Sequence, residues 1–112
     1  MIHIQVEPDE TAVGGAAAAL GGDAIRSAIA AHGHANIVLA TGVSQFEVLK
    51  ALVARRDIDW SRVVAFHLDE YVGLPDSHKA SFRRYLNERF AAQVPTLGGF
   101  HLIRGDASDL AA

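Results

Sequence analysis

Residues Asn36 to Ala40 read NIVLA, and the turn Thr41-Gly42-Val43-Ser44 cuts the run off. A short apolar run bounded by turn residues is the pattern of a strand covered on both faces, as in a parallel sheet. A parallel sheet demands a long crossover, usually a helix, between successive strands. The rest of the chain supplies that alternation.

Arg62 to Leu68, with VVAFHL at its heart, reads as a second buried strand, and Phe100 to Ile103 as a further short one. Ile2 to Val6 alternates apolar and polar residues and predicts an opening strand, stopped by Pro8 and Asp9. Thr11 to Ala31 predicts a helix with Leu20, Ile25 and Ile29 as its larger apolar residues. Its glycines each cost about 1 kcal/mol relative to Ala, so a break is expected near Gly21-Gly22-Asp23. His32-Gly33-His34 reads as the closing turn. Phe46, Leu49 and Val53 recur at helical spacing and predict a helix over 44–55, with Lys50 off the apolar face. Ser44 is placed to cap it, with Glu47 completing a capping box. Phe82, Tyr85, Leu86 and Phe90 put apolar groups on one face of a helix over 79–92, and Pro95 ends that region.

The order βαβαβαβ predicts an α/β fold: an open, largely parallel, Rossmann-like sheet with flanking helices and right-handed crossovers. No internal repeat or linker interrupts it, so residues 1–112 read as one unit. At 112 residues, half of them hydrophobic, the chain can bury its own core. The segment from Asp106 to Ala112 looks like the start of another helix, with Ser108 as cap. A sheet that ends on entering a helix leaves one face partly uncovered. The expectation is an incomplete sheet, the front part of a longer protein, with an exposed face that promotes association into a homo-oligomer.

Composition excludes several classes. The net charge of −3 with no basic run argues against nucleic acid or an anionic membrane as partner. Without cysteine there is no disulfide framework and no thiolate chemistry. No apolar stretch approaches the roughly 18 residues of a membrane span, and the N-terminus lacks the pattern of a signal peptide. A cytoplasmic protein is expected.

In open α/β sheets ligands bind beyond the carboxyl ends of the strands. Two stretches lie there. In Thr41-Gly42-Val43-Ser44, a glycine after a strand lets backbone N–H groups approach a ligand, and the helix start that follows favours an anion such as phosphate. The alternative is an ordinary capped helix start. The second stretch, AFHLDEYVGLP over 65–75, carries adjacent carboxylates out of a strand. In extended chain His67 and Asp69 share one side, Leu68 and Glu70 the other. Beside Phe66, Leu68 and Tyr71, Asp69 is expected to be partly desolvated, as suits a general base. The alternative is an Asp that bonds nearby backbone in a turn. Tyr71 packs over a sugar ring or into its own loop. His67, Asp69 and His78 match no standard zinc spacing, so no metal is expected. His32 and His34 read as solvated loop residues. Arg83, Arg84 and Arg89 read as a solvated helix face.

LATGVSQ over 39–45 and SRVVAFHLDEYVGLPDSHKASFRRYLNERF over 61–90 closely resemble the glucosamine-6-phosphate isomerase/deaminase family. The resemblance runs from about Asn36 to Gly105 and more loosely from the N-terminus. It implies opening of an amino sugar phosphate, proton transfer between C2 and C1, and release of ammonia, with no metal or organic cofactor. It carries the general base onto Asp69 and phosphate binding onto Gly42, Val43 and Ser44. Thr41, Glu70 and Tyr71 fall at the site wall, with no firm role implied for Glu70. The related 6-phosphogluconolactonases typically carry Asp-Glu-Arg where this chain has Asp69-Glu70-Tyr71, which favours the deaminase side. Val43 and Gln45 stand where many members have Gly or Asn and Pro, and suggest a variant branch with another amino sugar, such as galactosamine 6-phosphate. The family's second half carries a G-x-G-x-D-G-H segment that these residues do not contain. The 112 residues alone are therefore expected to be poorly active. A sugar-phosphate lactonase and a non-catalytic sugar-phosphate-binding module are the competing readings.

Overall fold

The computed structural model describes residues 1–109. Helix α1 runs Glu10–His32, strand β1 Ala35–Leu39, helix α2 Phe46–Val53, strand β2 Val63–His67, helix α3 Phe82–Arg89 and strand β3 Gly99–His101. Short 3₁₀ turns cover Val43–Gln45, Trp60–Arg62 and Ala91–Gln93. The three strands form one parallel sheet in the order β1-β2-β3, with Leu39 opposite His67 and Ala65 opposite Phe100. The open, parallel α/β architecture matches the sequence expectation.

One face of the sheet carries the core. Val63 and Ala65 of β2 have no exposed surface, nor do Leu86 and Phe90 at the end of α3. Phe90 meets both Trp60 and Phe100 edge to face, at centroid separations of 5.6 and 5.7 Å. Ala18 and Ile25 of α1 and Leu49 and Leu52 of α2 complete the cluster. The other face is open. Val38 is 63% exposed, and Phe66 stacks on His101 at 4.8 Å on that side. The expected cover on both faces of β1 is therefore absent, because every described helix packs onto the same side. Among the described residues the other face is partly uncovered.

Three local expectations are corrected. Residues 1–7 form no strand: Ile2, Ile4 and Val6 are exposed. Alternation makes a segment competent for pairing, but a strand exists only against a neighbour. Helix α1 is unbroken at Gly21-Gly22. Asp9 caps its start by accepting from the Ala12 N–H, and Gly33, at φ 82°, closes it in the left-handed region that L-residues avoid. Its glycines serve packing instead. A Cβ at Gly14 would meet Glu47 of α2 at 2.5 Å, and one at Gly22 would fall on the Arg55 guanidinium. Arg55 in turn reaches the Ala19 carbonyl, Asp23 and Asp57, tying α1 to the end of α2. Finally, Ser44 does not cap α2. It lies inside the 3₁₀ turn, which places Gln45 at the cap position without a side-chain bond. The helix suggested from Ser108 onward lies outside the described residues beyond Asp109.

Candidate active site

Parallel pairing brings the two sequence-selected stretches to one end of the sheet. Leu39 and His67 are register partners, and the Leu68 N–H donates to the Leu39 carbonyl at 3.1 Å. Both chains leave the sheet just beyond that bond, β1 into Thr41–Ser44 and β2 into Asp69–Tyr71.

On the β1 side, Gly42 takes φ 114° and ψ 169°, a backbone shape open to glycine and costly for other residues. Its carbonyl accepts from the Gln45 N–H at 3.0 Å and from the Tyr85 hydroxyl at 2.9 Å. Tyr85 sits on α3 and stacks on Phe46, the first residue of α2. One tyrosine thus fixes the loop between β1 and α2 against α3. Val43 and Ser44 are exposed. Both line a cavity of about 370 Å³ whose other walls are Asp9, Glu10, Val13 and Gly14 of the α1 end and Glu47 and Val48 of α2. Asp69 is not among its walls.

On the β2 side, alternation holds through His67, which is buried, and Leu68, which is exposed. It stops there, because β2 ends at His67. Asp69 is exposed rather than tucked beside His67, and Phe66, Leu68 and Tyr71 are exposed around it. The expected desolvation of Asp69 is not present among the described residues. Its carboxylate stands at the strand end, open to a ligand.

Glu70 goes the other way. Its side chain has no exposed surface. It accepts from the backbone N–H groups of Tyr71, Phe82 and Arg83, the Ser81 hydroxyl and the Arg83 guanidinium, at 2.9 to 3.3 Å. Burial alone would push its pKa up. The N–H donors of Phe82, Arg83 and Tyr71, with the Ser81 hydroxyl, outweigh burial and hold it at about 2. Glu70 is therefore an ionised cap on α3, delivered from a distant loop. The Ser81 hydroxyl also faces the Arg84 N–H at 3.4 Å.

Arg83 corrects a second expectation. It is buried rather than solvated, paired to Glu70 at 3.3 Å and to Asp106 at 3.0 Å, and it donates to the Leu74 carbonyl. Arg84 and Arg89 are exposed as expected: Arg84 pairs with Glu88, and Arg89 lies over the Phe46 ring at 3.6 Å. Tyr71 leans on Phe82, the first residue of α3, at 4.9 Å and stays half exposed. The loop closes where the Gly73 N–H donates to the buried Gly105, at which a Cβ would strike the Tyr71 carbonyl.

The structure thus assembles Thr41, Gly42 and Asp69 at one sheet end, with Glu70, Arg83 and Tyr85 as a rigid frame behind them. Sequence reasoning missed the last three roles. The signal that could have set Arg83 apart from Arg84 is its helical spacing from Leu86 and Phe90, which puts it on the buried face of α3. Among the described residues no group of three His, Asp or Glu side chains could hold a metal ion, and no helix is long and apolar enough to cross a membrane.

The sequence matches the family described as glucosamine-6-phosphate isomerases/6-phosphogluconolactonase over residues 8–112. A glucosamine-6-phosphate deaminase from an Arthrobacter species is 39% identical over 98 residues, spanning 84% of this chain and 38% of that protein. One from Staphylococcus saprophyticus is 37% identical over 82 residues, spanning 69% of this chain and 34% of that protein. The chain therefore spans little more than a third of the length of these curated relatives. In fold it resembles a monomeric glucosamine-6-phosphate deaminase, with TM-score 0.80 at 22% identity over 97% of this chain and 45% of the other. A 6-phosphogluconolactonase from Shewanella baltica gives TM-score 0.77 at 20% identity, over 88% of this chain and 43% of the other.

Proposed function

The chain belongs to the glucosamine-6-phosphate isomerase/6-phosphogluconolactonase family, and from that premise we propose that the whole protein is an amino-sugar-phosphate isomerase/deaminase. Residues 1–112 form the N-terminal portion of its single domain. The substrate is glucosamine 6-phosphate or a close relative such as galactosamine 6-phosphate. The glucosamine substrate and water give fructose 6-phosphate and ammonia.

Asp69 is the base of this reading. It takes the proton from C2 of the opened sugar and returns it to C1, and the resulting imine is hydrolysed to release ammonia. Backbone N–H groups of Gly42, Val43 and Ser44 hold the phosphate, and Thr41 and Tyr71 border the site. The observation that carries the reading is the pairing of an exposed Asp69 with a Glu70 whose side chain is buried and ionised at the next position. A base must be open to substrate and held still. Glu70 meets the second need by clamping the chain that bears Asp69 onto α3.

Tyr71 after Asp69-Glu70 favours deamination over lactone hydrolysis, as the sequence resemblance implies. The test is product analysis with the natural full-length protein. Ammonia and a ketose phosphate are expected from glucosamine 6-phosphate or galactosamine 6-phosphate. Hydrolysis of 6-phosphogluconolactone without ammonia release from either amino sugar would overturn the proposal. The 112 residues alone are expected to turn over far more slowly, since acid–base partners act as a unit.

A further inference from the structure

Arg89 stands apart from the other cations of α3. Arg83 is locked between Glu70 and Asp106, and Arg84 pairs with Glu88. Arg89 pairs with no carboxylate among the described residues, although Glu47 and Glu88 line the same cavity of about 390 Å³, together with Lys50. Its guanidinium lies over the Phe46 ring, 3.6 Å from the centroid, and 5.7 Å from the centroid of Tyr85. Phe46 stacks on Tyr85 at 5.4 Å, with 29° between the ring planes. Both rings are within the roughly 6 Å at which a cation is drawn to an aromatic face. Ring faces are negative, so a stacked pair gains from a cation laid over it.

The column Arg89, Phe46, Tyr85 ends on the loop after β1. The Tyr85 hydroxyl donates to the Gly42 carbonyl at 2.9 Å, and the Phe46 N–H donates to the Val43 carbonyl. None of the described peptide bonds is cis. In a trans peptide the N–H points opposite to the carbonyl of the same unit. Holding the Gly42 carbonyl on α3 therefore turns the Val43 N–H away from α3. Holding the Val43 carbonyl on the start of α2 turns the Ser44 N–H away from α2. Neither N–H has an acceptor among the described residues, and Val43 and Ser44 are exposed.

We propose that Arg89 is a positioning residue for the phosphate loop: its guanidinium holds the Phe46 ring against Tyr85, and these two residues hold the Gly42 and Val43 carbonyls. The loop N–H groups are then aimed before any ligand arrives, while Arg89 itself touches no substrate. This rests on the reading of Gly42, Val43 and Ser44 as the phosphate donors.

The tests use the full-length protein. Arg89→Met keeps an apolar stem over Phe46 and removes the charge, and Arg89→Lys keeps the charge without the flat head. With an amino sugar phosphate, Arg89→Met should raise KM about threefold with kcat within about twofold, and Arg89→Lys should fall between it and the parent. Unchanged KM in Arg89→Met overturns the proposal. In a Tyr85→Phe background, where the tether to Gly42 is already lost, Arg89→Met should add less than about half of that effect. An equal rise in both backgrounds overturns the proposal, since Arg89 would then act on the anionic substrate by charge alone. Amide exchange gives a readout free of substrate. Gln45, whose N–H donates to the Gly42 carbonyl, should exchange about threefold faster in Arg89→Met; exchange at the parent rate overturns the proposal. If the parent releases no ammonia from any amino sugar phosphate, the functional reading fails, and exchange at Gln45 still decides whether Arg89 holds the loop.

Discussion

A carboxylate removed from water must find donors or give up its charge. Glu70 finds five, and its neighbour Asp69 finds solvent. Adjacent acids thus take opposite parts, one buried and structural, the other exposed and proposed as the base, because β2 ends between His67 and Leu68. The pair leaves a signature in acid. The folded pKa of Glu70, about 2, lies below its unfolded value of 4.5. Its contribution is present above pH 4.5 and is lost as pH falls from there toward 2. Glu70→Gln should remove that part of the pH dependence. At neutral pH it should cost about 2 kcal/mol by urea unfolding, since it weakens the charge-assisted bonds at the start of α3 and leaves Asp106 as the remaining carboxylate on the buried Arg83. A variant as stable as the parent at pH 7, with the same acid profile, would show that the clamp contributes nothing.

Elements were legible in proportion to how local their causes are. NIVLA and VVAFH became strands because a short apolar run has few other uses, and Phe82, Tyr85 and Leu86 set the face of α3. Ser44 misled because its capping box was judged from sequence spacing, whereas a 3₁₀ turn moved the helix start to Phe46. The role of Glu70 was invisible for a related reason: it caps a helix that begins 12 residues later. Ile2–Val6 carries a strand's pattern but pairs with none of the described residues. At the candidate site, the meeting of the two strand ends could be read from sequence, and the exposure of Asp69 and the frame behind it could not. That frame includes the Tyr85 hydroxyl on the Gly42 carbonyl. Tyr85→Phe should lower stability by only about 1 kcal/mol yet loosen the loop proposed to hold phosphate. The expected result is a KM raised several-fold with kcat nearly kept. Unchanged KM would mean that the loop holds its shape without α3.

Among the described residues the sheet is one-sided. Three helices cover one face, and Val38, Phe66 and His101 lie on the other. Residues 1–112 alone should therefore associate: light scattering should give a mass above 11.9 kDa, rising with concentration. A monodisperse monomer with a sharp melting transition would count against that. The central claim, however, concerns one carboxylate at the end of β2, and the most direct measurement is on Asp69→Asn in the full-length protein. Ammonia release from the amino sugar phosphate and ligand binding by calorimetry should be followed side by side. Turnover should fall at least about 100-fold, with binding within a few-fold of the parent, because the amide keeps the shape and loses the base. Turnover at the parent's rate would contradict the assignment of Asp69.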